Sequence, residues 1–188
     1  DSSVRVRFHS AIALGKLKDP KAIAPLLELV EDNDDVDAFL RHAAVMGLVG
    51  STKADPKVLL ETISSSHSSV RLAAILALRR HAYPGISSFL KDKDLYLVTE
   101  VARAIHDDFS IPDALPALAE ILDRSDLEGE PLLRRAINAN FRVGRPSDAE
   151  RLARYAANSS SPENMRTTAL ACLALWAQPP VLDAVEGR

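Results

Sequence analysis

The sequence predicts an all-α protein, a solenoid of five stacked helix pairs plus one unpaired helix, winding as a right-handed superhelix. Three observations carry that prediction. The 188 residues include 28 Ala and 26 Leu but only 7 Gly, with aromatics at 5%, which suits helices and not a turn-rich β-sandwich. A two-residue anchor recurs as Val6-Arg7, Leu40-Arg41, Val70-Arg71, Leu97-Val98, Leu133-Arg134 and Met165-Arg166, at spacings of 34, 30, 27, 36 and 32 residues. That is the period of a helix-pair repeat with loops of varying length. A proline then interrupts the chain after each of the first five anchor segments, at Pro20, Pro56, Pro84, Pro112 and Pro146.

Each anchor begins the first helix of a repeat. Three positions on lie Ser10, Ala44, Ala74, Val101, Ile137 and Ala169, and six positions on lie Ala13, Gly47, Ala77, Ala104, Asn140 and Cys172. At the seventh come Leu14, Leu48, Leu78, Ile105, Phe141 and Leu173. These offsets trace one stripe of an α-helix, bulky at both ends and small between, so neighbouring helices can approach closely. Proline lacks an N–H and fixes φ, so it ends one helix and suits the first turn of the next. The second helices carry Ile23, Leu26, Leu27 and Val30, then Leu59, Leu60 and Ile63, then Ile86, Phe89 and Leu90. Later ones carry Leu115, Leu118, Ile121 and Leu122, and finally Leu152, Ala153 and Ala156. The expected repeats span about 3–34, 35–67, 68–94, 95–126 and 127–161, with a partial sixth at 162–180 and an exit segment at 181–188, all within one domain.

Charge and length exclude several classes. Net charge is −3 with 26% charged residues, so neither wholesale disorder nor a global basic field for nucleic acid or anionic membrane is expected. No apolar run approaches the roughly 18 residues of a membrane span. Cys172 is the single cysteine, which excludes a disulfide within the chain and fits an exported and a cytosolic protein equally. The chain opens at Asp1 without an initiator Met, which is expected of a segment of a larger protein.

Repeat one reads Val6-Arg7, Ala11, Ala13-Leu14-Gly15, Leu17, Asp19-Pro20, Ala22, Pro25-Leu26, and this resembles the HEAT-like repeat of the phycobilin lyase type along nearly the whole chain. A narrower resemblance rests on Phe39-Leu40-Arg41-His42-Ala43-Ala44-Val45-Met46-Gly47-Leu48 and on Trp176-Ala177-Gln178-Pro179-Pro180-Val181-Leu182-Asp183. These are similar to the HEAT segment of large secreted proteins of planctomycetes and verrucomicrobia. There a sugar-dehydrogenase-like propeller precedes the segment and a c-type haem domain often follows. The resemblance implies an exported parent with a periplasmic or secreted location. This sequence has no propeller and no Cys-x-x-Cys-His, so no catalytic or haem residue carries over and no cofactor is expected.

Several polar features invite a chemical reading. The anchor arginines and the turn aspartates predict a ladder between repeats: Asp19 with Arg41, Asp55 with Arg71, Asp113 with Arg134, and Asp148 with Arg166. The acidic run 31–37 lacks the Gly at position six and the Glu at position twelve of an EF-hand, so it reads as a solvated loop feeding the next helix. His9, His42, His67, His81 and His106 are scattered without ligand spacing, and Cys172 sits in the small core column. Asn140 breaks that column, with Asn138 on the same helix. Around them Arg134, Arg135, Arg142, Arg145, Arg151 and Arg154 face only Asp148 and Glu150, which makes a local basic patch. Either the patch is a solvated helical face or it holds a phosphate.

No Gly-rich phosphate loop, Gly-x-Ser-x-Gly elbow or paired-carboxylate motif is present. The function expected is therefore a non-catalytic scaffold that contacts a protein, above all other domains of its parent chain, with no membrane and no nucleic acid as partner. Two alternatives come from the repeat type: a nucleic-acid enzyme like the HEAT-type alkylpurine DNA glycosylases, and a bilin lyase-like subunit. Net −3 and a single Trp argue against the first. The last helix keeps Met165, Leu173 and Trp176 without a second helix behind it. This C-terminal edge is expected to expose apolar surface, to dock a neighbour and to support weak self-association.

Overall fold

The computed structural model describes residues 3–107, 110–183, 185 and 187. All of the regular structure among them is helical. The backbone packs as two compact units, residues 1–100 and 101–188, where the repeat pattern leads one to expect a single domain. Residues 184, 186 and 188 of the expected exit segment lie outside the described residues.

The first unit contains α1 (Val4–Leu17), α2 (Ile23–Asn33), α3 (Ala38–Ser51), α4 (Ser68–Arg80) and the start of α5 (Leu95–His106). Within it α1 packs on α3, α2 on α3 and α4, and α3 on α4. The second unit continues with α6 (Leu115–Glu120), α7 (Glu130–Val143), α8 (Pro146–Ala157) and α9 (Glu163–Ala174). Here α7 packs on α6, α8 and α9, and α8 packs on α9. Among the described residues five pairs and a lone α9 follow the order read from the anchors, and each interrupting proline sits in the first turn of the element after it.

The second elements of repeats two and three differ from expectation. They are 3₁₀ segments, Pro56–Ser64 and Pro84–Lys91, not α-helices. These two repeats have the shortest anchor spacings, 30 and 27 residues, and a 3₁₀ segment rises about 2.0 Å per residue against about 1.5 Å in an α-helix. Fewer residues then span the same stack. At three residues per turn, positions i and i+3 eclipse, and the buried residues follow that rule: Leu59 with Thr62, and Ile86 with Phe89.

From repeat two onward the anchor stripe forms the core, whereas in repeat one Val6, Ser10 and Ala13 are exposed and Leu14 is half-buried. Leu40, Val70, Leu97, Leu133 and Met165 are buried, as are Leu48, Leu78, Ile105 and Phe141 seven positions later. Close approach is most extreme between α1 and α3. A Cβ on Gly50 would stand 2.0 Å from the Gly15 carbonyl oxygen, and one on Gly47 would stand 2.8 Å from the Ala11 carbonyl oxygen. Backbone meets backbone there, so no rotamer change relieves the clash. Gly50→Ala is expected to destabilise the chain by about 3 kcal/mol, measured as a lower urea midpoint; an unchanged midpoint would mean that the two helices can separate at no cost.

The loops are fastened by their own polar residues. Asp37 caps α3 by accepting from the Phe39 and Leu40 amides at 2.8 and 3.0 Å. The Asn33 side chain bonds the Asp37 backbone in both directions, at 3.1 and 3.2 Å. Asp34 and Asp35 adopt left-handed backbone, with φ of 40° and 61°, and Asp35 pairs with Arg41. The acidic run is thus a capped turn, in keeping with its reading as a loop that feeds the next helix.

Candidate functional site

The expected ladder does not form. Among the described residues, none of the pairs Asp19–Arg41, Asp55–Arg71, Asp113–Arg134 and Asp148–Arg166 is made. Asp19 and Asp55 fold back to accept from the amides of Lys21 and Lys57, at 2.9 and 3.0 Å. An aspartate that caps its own turn points along its own backbone, not towards the next repeat. Asp113 lies exposed in the first turn of Pro112–Ala114. The arginines turn elsewhere: Arg41 to Asp35, Arg134 to Glu130 at 2.6 Å, and Arg166 to the Ala156 carbonyl at 2.8 Å.

Arg71 makes the most deeply buried of these contacts. Its Nε and Nη2 donate to the two oxygens of Asp92 at 2.7 and 3.3 Å, and Nη1 donates to the Ser65 carbonyl at 2.8 Å. Both side chains are 4% exposed. Nearby in the same unit, the Thr52 hydroxyl donates to the Leu48 carbonyl at 2.7 Å. With its one proton used, it accepts from His81 Nε2 at 3.0 Å, which fixes the Nε2–H tautomer. Burial pushes the His81 pKa down, keeping the ring neutral.

In the second unit the basic patch is consumed internally. Arg135 donates to both oxygens of Asp107 at 2.8 and 2.9 Å. Arg151 reaches Asp123 at 2.7 Å, and its Nη1 donates to Asp148 and to Asn140 Oδ1, each at 2.8 Å. Arg154 donates to the other Asp123 oxygen at 3.0 Å, and Arg145 to Asp148 at 2.9 Å. Asn140 completes its bonds by donating to the carbonyls of Ala119 and Ala136, at 2.9 and 2.8 Å. A cavity of about 300 Å³ is lined by Asp123, Arg124, Arg151, Arg154 and Tyr155. Its guanidiniums are turned to Asp123 and, for Arg124, to Asp126. The arginine patch is thus a structural network.

Burial pushes the Asp148 carboxyl up, but Arg145 and Arg151 outweigh it and hold its pKa below the ordinary value. Asp107 and Asp123 follow the same pattern, Asp107 through Arg135 and His106 and Asp123 through Arg151 and Arg154. A carboxyl more acidic when folded contributes its stability in full above about pH 5, and loses it as pH falls through the folded value. Asp148→Asn is expected to cost about 3 kcal/mol at neutral pH and less at about pH 3, where the unfolded carboxyl is largely protonated and part of the folded carboxylate's advantage is lost. Urea titrations at the two pH values check this.

A second buried network went unread in the sequence. His106 Nε2 accepts from Asn138 Nδ2 at 2.7 Å, while Nδ1 faces Asp107 Oδ1 at 3.3 Å. The same Asn138 amide donates to Asp183, which lies 3.4 Å from His106 Nε2. Arg142 then grips the chain after α9, donating to the carbonyls of Pro180 and Leu182 at 2.7 Å each. His106, Asn138 and Asp183 are all 3% exposed or less. The His106–Asp107 pair resembles an acid–base dyad, but the outer nitrogen accepts from an amide and is closed off from solvent. Residues 180–183 therefore act as a strap across α7. Arg142→Ala is expected to release it, seen as faster limited proteolysis after residue 178 with little change in helical circular dichroism.

The C-terminal edge needs revision in the same light. Met165 is 1% exposed, because α9 turns it into the interface with α7 and α8, so it drops out of the expected edge. Leu173 is half-buried, and so is Trp176, whose ring lies 5.9 Å from that of Phe141. The exposed apolar residues here are Leu170, Leu175, Val181 and Leu182. Cys172 is buried, and burial raises its thiol pKa to about 11, so it stays protonated at neutral pH. Among the described residues no three His, Cys, Asp or Glu side chains are placed to hold a metal, and no helix is long and apolar enough to cross a membrane.

An open feature of a different kind lies in the first unit. A groove of about 730 Å³ runs between α2 and the 3₁₀ segment Pro56–Ser64. Ile23, Leu27, Val58 and Val70 supply its apolar lining, and Lys21, Glu28, Glu31 and Glu61 stand along it. The Glu31 carboxylate also meets His67 Nε2 at 3.2 Å.

The HEAT-repeat family matches residues 1–49, which takes in α1, α2 and most of α3. No curated protein matches the chain. With helix pairs throughout, the architecture is settled. It is an α-solenoid of helix pairs, with HEAT repeats matched over residues 1–49.

Proposed function

We propose that the chain is a non-catalytic interaction scaffold that holds a protein surface, above all another domain of a larger parent protein. The groove between α2 and Pro56–Ser64 carries this reading, because it is open, mostly apolar and built from second elements of adjacent repeats. The HEAT repeats that it resembles generally mediate protein–protein contacts. The buried polar groups of the second unit support the same view, since their hydrogen bonds hold helices together and leave no exposed nucleophile–base pair among the residues singled out above. The narrower resemblance in Phe39–Leu48 and Trp176–Asp183 favours an exported multidomain parent, with the groove covered by a domain of that parent.

Hydrogen exchange tests this. In the full gene product, and in any complex purified with it, amides of α2 and Pro56–Ser64 are expected to exchange more slowly than in the 188-residue chain alone. Identical exchange across the groove in all three samples would overturn the proposal.

A further inference from the structure

We infer that the first-unit groove takes a basic amphipathic helix from its protein partner; this rests on the scaffold reading and specifies the partner's chemistry. Two observations point the same way. Ile23 and Leu27 are one helical turn apart on α2 and stand opposite Val58, so they form a row against which the ridge of another helix can pack. Val70 and Thr62 close the floor between the two elements and are themselves buried.

The charges along the groove select the sign of the occupant. Glu28, Glu31 and Glu61 supply three carboxylates, all on exposed residues, against one ammonium from Lys21. An incoming helix with Leu or Ile on one face and Lys or Arg flanking it would bury the apolar row and set its cations beside those carboxylates. An acidic helix of the same shape would place like charges together, which costs affinity and specificity. The rim pairs are exposed, so they steer and select while the apolar row supplies most of the affinity. Added salt therefore weakens the complex without abolishing it.

The probe is a fluorescein-labelled synthetic helix of about 18 residues, about 27 Å long, with Leu at every third or fourth position and Lys on both flanks. Its binding to the 188-residue chain is read by anisotropy. A matched peptide with Glu for every Lys is the control. The basic peptide is expected to bind at least about tenfold more tightly than the acidic one. Two exposed-site variants, Ala24→Arg, which fills the groove, and the double change Glu28→Lys with Glu61→Lys, are each expected to weaken it by about tenfold or more.

Equal binding of both peptides, or binding unchanged in both variants, would overturn the inference. So would dimerisation of the chain through the groove, seen as a doubled mass by ultracentrifugation that Ala24→Arg returns to monomer. If the basic peptide fails while hydrogen exchange still finds the groove covered in the full product, the partner chemistry is wrong and the scaffold reading stands. If exchange finds the groove uncovered as well, both fall.

Discussion

Close stacking of helix pairs leaves guanidinium groups inside the interfaces, and the most deeply buried of them meet carboxylates there. Arg71 meets Asp92, Arg135 meets Asp107, and Arg151 meets Asp123, each across 21 to 28 residues of sequence. Taking such ions out of water costs several kcal/mol apiece, offset only when geometry is good and the remaining donors are satisfied. Two of the three pairs are bidentate, and all three arginines also reach a backbone carbonyl or an amide oxygen nearby. A repeat cannot slip by one residue against its neighbour without stranding these charges. The apolar stripe decides that the helices pack, and the ion pairs decide in which register.

This explains how far the sequence could be read. Helix order, the proline boundaries and the small column were legible because they repeat, and repetition reveals a shared constraint. Charge pairing was not, because the wrong aspartates look more regular. Asp19 and Asp55 recur at the turns, but they are occupied as caps, while the true partners Asp92 and Asp123 sit where 3₁₀ segments run into loops of irregular length. Asp107–Arg135 comes nearest to the expected rung, displaced by six residues on one side and one on the other. The His106–Asn138–Asp183 network was further out of reach, since Asp183 lies beyond the last repeat and no periodicity points to it. Asn138 was a partial signal: its counterparts four residues after the anchors are Ala11, Val45, Ile75, Ala102 and Leu170, all apolar.

The two units divide their polar chemistry differently. In the second, arginines and carboxylates of the same unit pair with one another, so a stretch that looks like an anion site in sequence is a set of struts between its own elements. In the first, the carboxylates along the groove stay exposed, where they remain available to a partner. Local net charge in a sequence window therefore predicts little about surface potential in a repeat protein; what matters is whether each charged group finds its counterion within the stack.

The strap at residues 180–183 has a mechanical consequence. Tension applied at the C-terminus reaches Asp183, Leu182 and Pro180 first, and passes through Asn138 and Arg142 directly into α7. The load then bypasses α9, which is nearer the end in sequence yet lies on the far side of the clamp. With three side-chain attachments resisting together, the last helix is shielded from a pull that would otherwise peel it away turn by turn.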